Sequence, residues 1–325
     1  MHISEGILTG PSMAATLAAG GLAVAWGATR VSALIKDEPQ RKPLLAMAGA
    51  FIFLISLTPF PASPGTTTHP CGTPLAAILL GPGPTVVLAG LALLLQALFF
   101  AHGGLSSLGA NTLTLGLVGG LTGWLVYKGG RKLGLSLFVS AALAGFMGDV
   151  MTYLAAGGIL GAHLAFFGTT PQHDLAGYLK LIYAAYLPIQ TPLAIGEALL
   201  TGYAIRSIGR QRPEVLEGLG VEAKGFAKTA ALAVMLACLL PLATGLQSAA
   251  VMPNAGQSIT KSAGFQGMDE VVNEAVAHAG GAPARAPYID FESKGDLWNF
   301  VLLLGGGLAG FVVGLNWHRL FGKPR

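Results

Sequence analysis

Residues 66–74 read TTTHPCGTP, a polar stretch broken by proline and glycine between two long apolar runs, with His69 at its centre. Inside a bilayer, irregular backbone is tolerated only where protein buries it or where it lines a cavity, because lipid cannot satisfy its N–H and C=O groups. The stretch therefore predicts a bundle of helices closed around one non-helical loop. A histidine held there is either a packed hydrogen-bonding residue or a ligand. Spacing alone leaves both open.

The composition around that loop fixes the class. Of 325 residues, 53% are hydrophobic and only 10% charged, against roughly 25% charged in a soluble domain. Several apolar runs exceed the roughly 18 residues that mark a transmembrane helix. The chain reads as an all-α, polytopic integral membrane protein in contact with lipid. Its 47 glycines point first to close helix packing, since small residues let helices approach where no hydrophobic drive exists between them. Cys71 and Cys238 form no CxxC pair and imply no disulfide framework. The net charge of +4 is no nucleic-acid signal, because the basic residues sit in short clusters between apolar runs.

Those clusters are Arg30/Lys36/Arg41/Lys42, Lys128/Arg131/Lys132, Arg206/Arg210/Arg212 with Lys224/Lys228, and Arg319/Lys323/Arg325. By the positive-inside rule each faces the cytoplasm, which puts the N-terminus outside and the C-terminus inside the cytoplasmic (inner) membrane. The start is no signal peptide, which would need a basic n-region. The expected crossings are 7–34, 44–60, 66–80, 85–101, 109–127, 135–157 and 178–205. An even number must separate the first two clusters, and the run 75–100 is interrupted by Gly81-Pro82-Gly83-Pro84, which ends a helix. Splitting the run there makes 66–80 a short descending element inside the bundle and 81–84 a cytoplasmic-side turn. His163, His173 and Asp174 fall in an expected outer loop, 158–177.

After a basic stretch comes a separate tail: an apolar run at 229–247, an acidic loop at 248–296 and a last helix at 297–317. The expectation is thus about seven helices plus two. The domains are a substrate-binding unit at 1–212, a cytoplasmic linker at 213–228 and a two-helix module at 229–325. Gly306, Gly310 and Gly314 form two GxxxG steps, a helix-contact pattern. Ala46 and Ala50 repeat the small-xxx-small spacing in the second crossing.

The chain opens Met1-His2. A free amine, the amide nitrogen of His2 and the His2 imidazole can close two adjacent chelate rings on one metal ion. His69 is the obvious fourth nitrogen. Square-planar nitrogen sites favour Ni(II) or Cu(II), and imidazole also accepts Co(II). The alternative is that His2 merely belongs to a short polar terminus.

The stretches HISEG (2–6), THPCGTPLAAILLGP (68–82), QALFFAHGGLSSLGANT (96–112) and IQTPLAIGEALLTG (189–202) together resemble the cobalt/nickel substrate-specific component (CbiM/NikM) of energy-coupling factor transporters. The resemblance runs over about residues 1–212. It implies a bound Ni2+ or Co2+ as substrate, no organic cofactor, and metal ligands at Met1, His2 and His69. Cys71 departs from the pattern, standing where a threonine is expected; its thiol either tunes the site or packs as a small hydrophobe. The tail, with GMDEVVNEAVAHAGG, APYIDF and GDLWNFVLLLGGGLAGFVVG, is similar to the small two-helix accessory (N) component. That similarity favours nickel slightly. The implied partners are a transmembrane coupling (T) component, docking near Ala46 and Ala50, and ATPase (A) components.

Several other polar groups are candidates for a supporting role or a pathway. Glu5 is placed to orient the His2 ring, as metal-bound imidazoles usually pass their other N–H to a carboxylate or carbonyl. Thr68, Cys71 and His102 flank the site or its entrance. Asp149 and Glu197 are ionisable groups within apolar helices, which are functional candidates by default. No phosphate-binding G-x-x-x-x-G-K-[ST] occurs, so the chain is read as no enzyme and as borrowing ATP hydrolysis from its partners. No HExxH occurs either, against an intramembrane protease. The competing class is a self-sufficient secondary metal carrier, with Asp149 and Glu197 relaying protons. Paired broken helices would favour it, and one broken segment is present.

Overall fold

The computed structural model describes residues 2–58, 60–62, 66–100, 102–168, 173–221 and 266–267. Met1, the tail helices expected at 229–247 and 297–317, Gly306, Gly310, Gly314, Cys238, His278 and His318 lie outside them, as does nearly all of the loop 248–296.

Helix α1 (Gly10–Asp37) starts with Pro11 in its first turn and is followed by a 3-10 turn at Pro39–Arg41 and α2 (Lys42–Leu57). Then comes the non-helical break. Strand β1 (Phe60–Ala62) pairs antiparallel with β2 (Thr66–Thr68), and β3 (Gln266–Gly267) adds in parallel to β2. This short ribbon is the one exception to the all-α expectation among the described residues. Helix α3 (Thr73–Leu80) descends for two turns, and α4 (Pro82–Phe99) returns. The predicted split is present, but the turn is narrower than 81–84. Gly81 alone separates the helices, because Pro82 fits the first position of α4, where its missing N–H costs nothing. Gly83 packs on Arg30, with an added Cβ only 2.7 Å from Arg30 Cγ, so the turn sits by the first basic cluster.

The expected crossing at 109–127 is one continuous helical path made of α5 (Leu108–Asn111), a π-helical stretch (Thr112–Gly119) and α6 (Gly120–Lys132). Helix α7 runs from Leu137 to Phe167 and α8 from Leu175 to Gln211. The short helix α9 (Pro213–Gly218) closes the described bundle. Helix α7 outruns its expected end at 157, so His163 is a buried helix residue rather than part of a loop. In the packed bundle Gly157 and Gly158 let α8 approach. A Cβ on Gly157 would lie 2.5 Å from Tyr183 Cε1. Pro188 and Pro192 sit inside α8, where neighbouring groups can satisfy the freed carbonyls.

By length and hydropathy, four described helices can cross a membrane: Gly10–Asp37, Pro39–Leu57, Pro82–Phe99 and Leu137–Phe167. Leu22, Leu54, Leu91, Leu125 and Phe166 are each more than half exposed, an apolar exterior suited to lipid rather than water. At one end, Arg41 pairs with Glu38 at 2.7 Å and donates to Gly218 O, while Lys128 Nζ donates to Gly220 O at 3.2 Å. Three basic clusters therefore meet at one end of the bundle.

Candidate metal centre

The first residues of the chain are not a loose terminus. Ile3, Ile7 and Leu8 are each at most 2% exposed and belong to the main core with Ile52, Leu93, Leu115 and Tyr153. Burying such a side chain is worth about 1.5–3 kcal/mol, while ordering each backbone residue costs about 1–2 kcal/mol. Apolar burial alone therefore leaves little surplus. The hydrogen bonds of the 103–111 segment supply the margin. The Asn111 amide works in both directions, its Oδ1 accepting from Ile3 N at 2.8 Å and its Nδ2 donating to Ile3 O at 2.9 Å. Ser107 Oγ also donates to Ile3 O, Ser106 Oγ accepts from Gly6 N at 2.9 Å, and Glu5 Oε2 accepts from Ser106 N at 3.0 Å. Only glycine fits at 104, where a Cβ would lie 2.4 Å from Glu5 Cα.

This clamp seats His2 in the bundle, 2% exposed. Its ring centroid is 4.7 Å from that of His69 and 4.5 Å from that of His102, and the last two are 5.1 Å apart. The candidate ligand atoms of the three histidines all lie within 4.8 Å of one another. Of the residues singled out in the sequence, the structure thus gathers His2, His69 and His102 into one buried cluster, with Thr68 adjoining. His102 is a member of the cluster.

The hydrogen bonds determine which nitrogens carry lone pairs. Ser56 Oγ donates to Ile52 O at 2.6 Å, so it must accept from Gln96 Nε2, at 2.9 Å. Gln96 Nε2 also donates to Phe53 O at 3.0 Å. The remaining amide oxygen of Gln96 therefore faces His2 Nε2, at 3.2 Å, and fixes the proton there. His2 presents Nδ1 as its lone-pair nitrogen, the one that can share a chelate ring with the His2 amide. Likewise His69 Nδ1 lies 3.2 Å from Pro70 O; a carbonyl can only accept, so the His69 lone pair is on Nε2. Gln96 thus meets the His2 ring at Nε2. The Glu5 carboxylate ties the clamp together at Ser106.

A second cluster lies under the loop. Cys71, Asp149 and Glu197, all buried, bring their thiol and carboxylate atoms within 4.8 Å of one another. Cys71 Sγ donates to Asp149 Oδ1 at 3.1 Å, and Gln190 Nε2 donates to Asp149 Oδ2 at 2.6 Å. The two Glu197 oxygens accept from the backbone N–H groups of Cys71, at 2.6 Å, and Gly72, at 2.8 Å. Gly72, at φ +71°, turns these N–H groups toward one point, a conformation that residues with a Cβ rarely adopt. The Cys71 thiol belongs with the carboxylates and not with the histidines.

Away from the site, Ala46 and Ala50 lie exposed on α2 and line an apolar groove with Gly49, Leu88 and Leu91. His163 Nδ1 meets Ser12 Oγ at 2.6 Å, joining α7 to α1, and the His173 ring abuts Tyr178.

Comparison with known proteins gives a consistent answer. A family model described as the cobalt uptake substrate-specific transmembrane region matches residues 2–215. Over its full length the chain is 40% identical to the cobalt transport protein CbiM of Geobacter sulfurreducens, covering 91% of that protein. A putative cobalt transport protein CbiM of Methanocaldococcus jannaschii is 38% identical over 68% of the chain and 92% of its own length. A crystal structure of a transition metal transporter superposes with a TM-score of 0.58 at 29% identity, covering 67% of this chain and 98% of that one.

Proposed function

Because the chain belongs to the cobalt-uptake substrate-specific transmembrane (CbiM) family, we propose that it captures one Co(II) or Ni(II) ion in a site of four nitrogens. These are the Met1 amine, the His2 amide, His2 Nδ1 and His69 Nε2. The observation that carries the reading is the convergence of His2 and His69, 4.7 Å between ring centroids, with hydrogen bonds that turn a lone pair of each toward ligation. Gln96 holds the His2 ring from behind, as a carboxylate or carbonyl does in many metal sites.

The ion enters from the outer side of the cytoplasmic membrane, and a separate coupling (T) component and ATPase (A) components drive its release inward. In this reading residues 1–212 are the binding unit, 213–228 a linker and 229–325 an accessory module. The exposed Ala46/Ala50 stripe is the docking face for the coupling component. Each oxygen of Asp149 and Glu197 accepts a hydrogen bond, two of them from the loop backbone, so these groups also brace the loop.

Cobalt is the cargo that the family points to, while a planar nitrogen set binds nickel more tightly at equilibrium, following the usual divalent order. Elemental analysis after growth with both metals is expected to give one ion per chain, with nickel winning an equal-concentration competition. Amine, amide and imidazole must all be deprotonated to bind, so occupancy is expected to fall steadily as pH drops from neutral to mildly acidic. Occupancy that stays flat over that range would refute the ligand set, and cobalt displacing nickel would refute the order of preference.

A further inference from the structure

The cluster beneath the loop is engaged with the loop itself. All four oxygens of Asp149 and Glu197 accept hydrogen bonds from protein donors, and two of those donors are the backbone of the His69 loop itself. The cluster holds the loop. Most of that hold comes from one element, α8. Ahead of His69, Gln190 Oε1 accepts from Thr68 Oγ1 at 2.7 Å. Behind it, Glu197 takes the N–H groups of Cys71 and Gly72, filling the N-terminus of α3 with a carboxylate. Tyr153, on α7, fixes the intervening His69 carbonyl with its hydroxyl at 3.0 Å. His69 is thus gripped on both sides by groups seven residues apart on α8, a helix with Pro188 and Pro192 in this same stretch.

We infer that Glu197 and Gln190 are positioning residues that hold His69 in the plane of the other three nitrogens, and so set the preference of the site for an ion that demands planarity. The inference rests on the ligand set proposed above. The physical argument is one of ligand field. Ni(II) gains most from four strong nitrogen donors in one plane, whereas Co(II) tolerates a displaced fourth donor. Loosening the grip costs nickel more than cobalt. Glu197→Gln is nearly isosteric but offers one acceptor where two N–H groups need one each, so its amide N–H2 must face a backbone donor.

The test uses the full chain, purified in detergent, titrated separately with Ni(II) and Co(II). Glu197→Gln is expected to lower nickel affinity about 10- to 100-fold, the usual range for a group supporting a metal ligand. Cobalt affinity falls by less, and the visible spectrum of the nickel complex shifts from planar toward a higher-coordinate form. Thr68→Val, isosteric and lacking the hydroxyl, is expected to move the ratio and the spectrum in the same direction. It decides alone if Glu197→Gln is not recovered folded. An unchanged nickel-to-cobalt ratio and spectrum, even with lowered thermal stability, would overturn the inference and leave only a structural role. The underlying ligand set fails separately, if His2→Ala still binds nickel as the unaltered chain does.

Discussion

Inserting one proline between Met1 and His2 is expected to abolish binding of both nickel and cobalt while the protein still accumulates in the membrane. The structure makes this sharper than a chelate argument alone. The register of the terminus is fixed at residue 3, where Asn111 takes both Ile3 N and Ile3 O. An insertion upstream of His2 therefore leaves the imidazole seated against Gln96 and moves only the amine. The amine and the His2 amide no longer share a five-membered ring, the inserted proline nitrogen has no proton to lose and cannot bridge them, and the multidentate advantage, about 10²–10⁴ in affinity, is lost. Equilibrium dialysis with elemental analysis reads the result. Binding within a factor of two of the unaltered chain would remove the amine from the site.

Asn111→Ala is the second large effect. It orphans the buried Ile3 N–H, at about 1–3 kcal/mol, and removes one of the two side chains that donate to Ile3 O, where Ser107 remains. The terminus then spends most of its time undocked. Apparent affinity falls by the fraction of chains that are binding-competent, so a ten- to hundredfold loss of metal affinity is expected at near-normal helical content. A normal affinity would mean that apolar burial of Ile3, Ile7 and Leu8 seats the terminus unaided.

Much of this architecture is written in local chemistry. The broken run at 81–84 announces a short helix inside the bundle because proline and glycine stop a helix wherever they fall. His2 and His69 are legible because imidazoles in buried polar segments have few roles. What escaped the reading depends on tertiary neighbours. Gln96 and Asn111 lie within stretches quoted for other reasons, and their role follows from facing Ser56 and Ile3, some 40 and 108 residues away in sequence. A lone glutamine in an apolar helix is nevertheless a signal, since an amide there needs partners for both its donor and its acceptor. The π-helical stretch at Thr112–Gly119 has no sequence mark at all. The far end of α7, beyond the expected 157, rests on packing against α8 at Gly157 and Gly161, which no local pattern marks.

The Cys71 thiol does not pack as a plain small hydrophobe: it donates to Asp149 in the network that holds the loop, on the far side of the loop from the histidines. The four-nitrogen site should therefore contain no sulfur, which makes X-ray absorption at the nickel edge the most direct test of the account. On the purified full chain loaded with Ni(II), the spectrum is expected to show a planar shell of nitrogen donors with imidazole scattering and no sulfur. A sulfur donor, or a six-coordinate shell of nitrogen and oxygen, would contradict the assignment to Met1, His2 and His69.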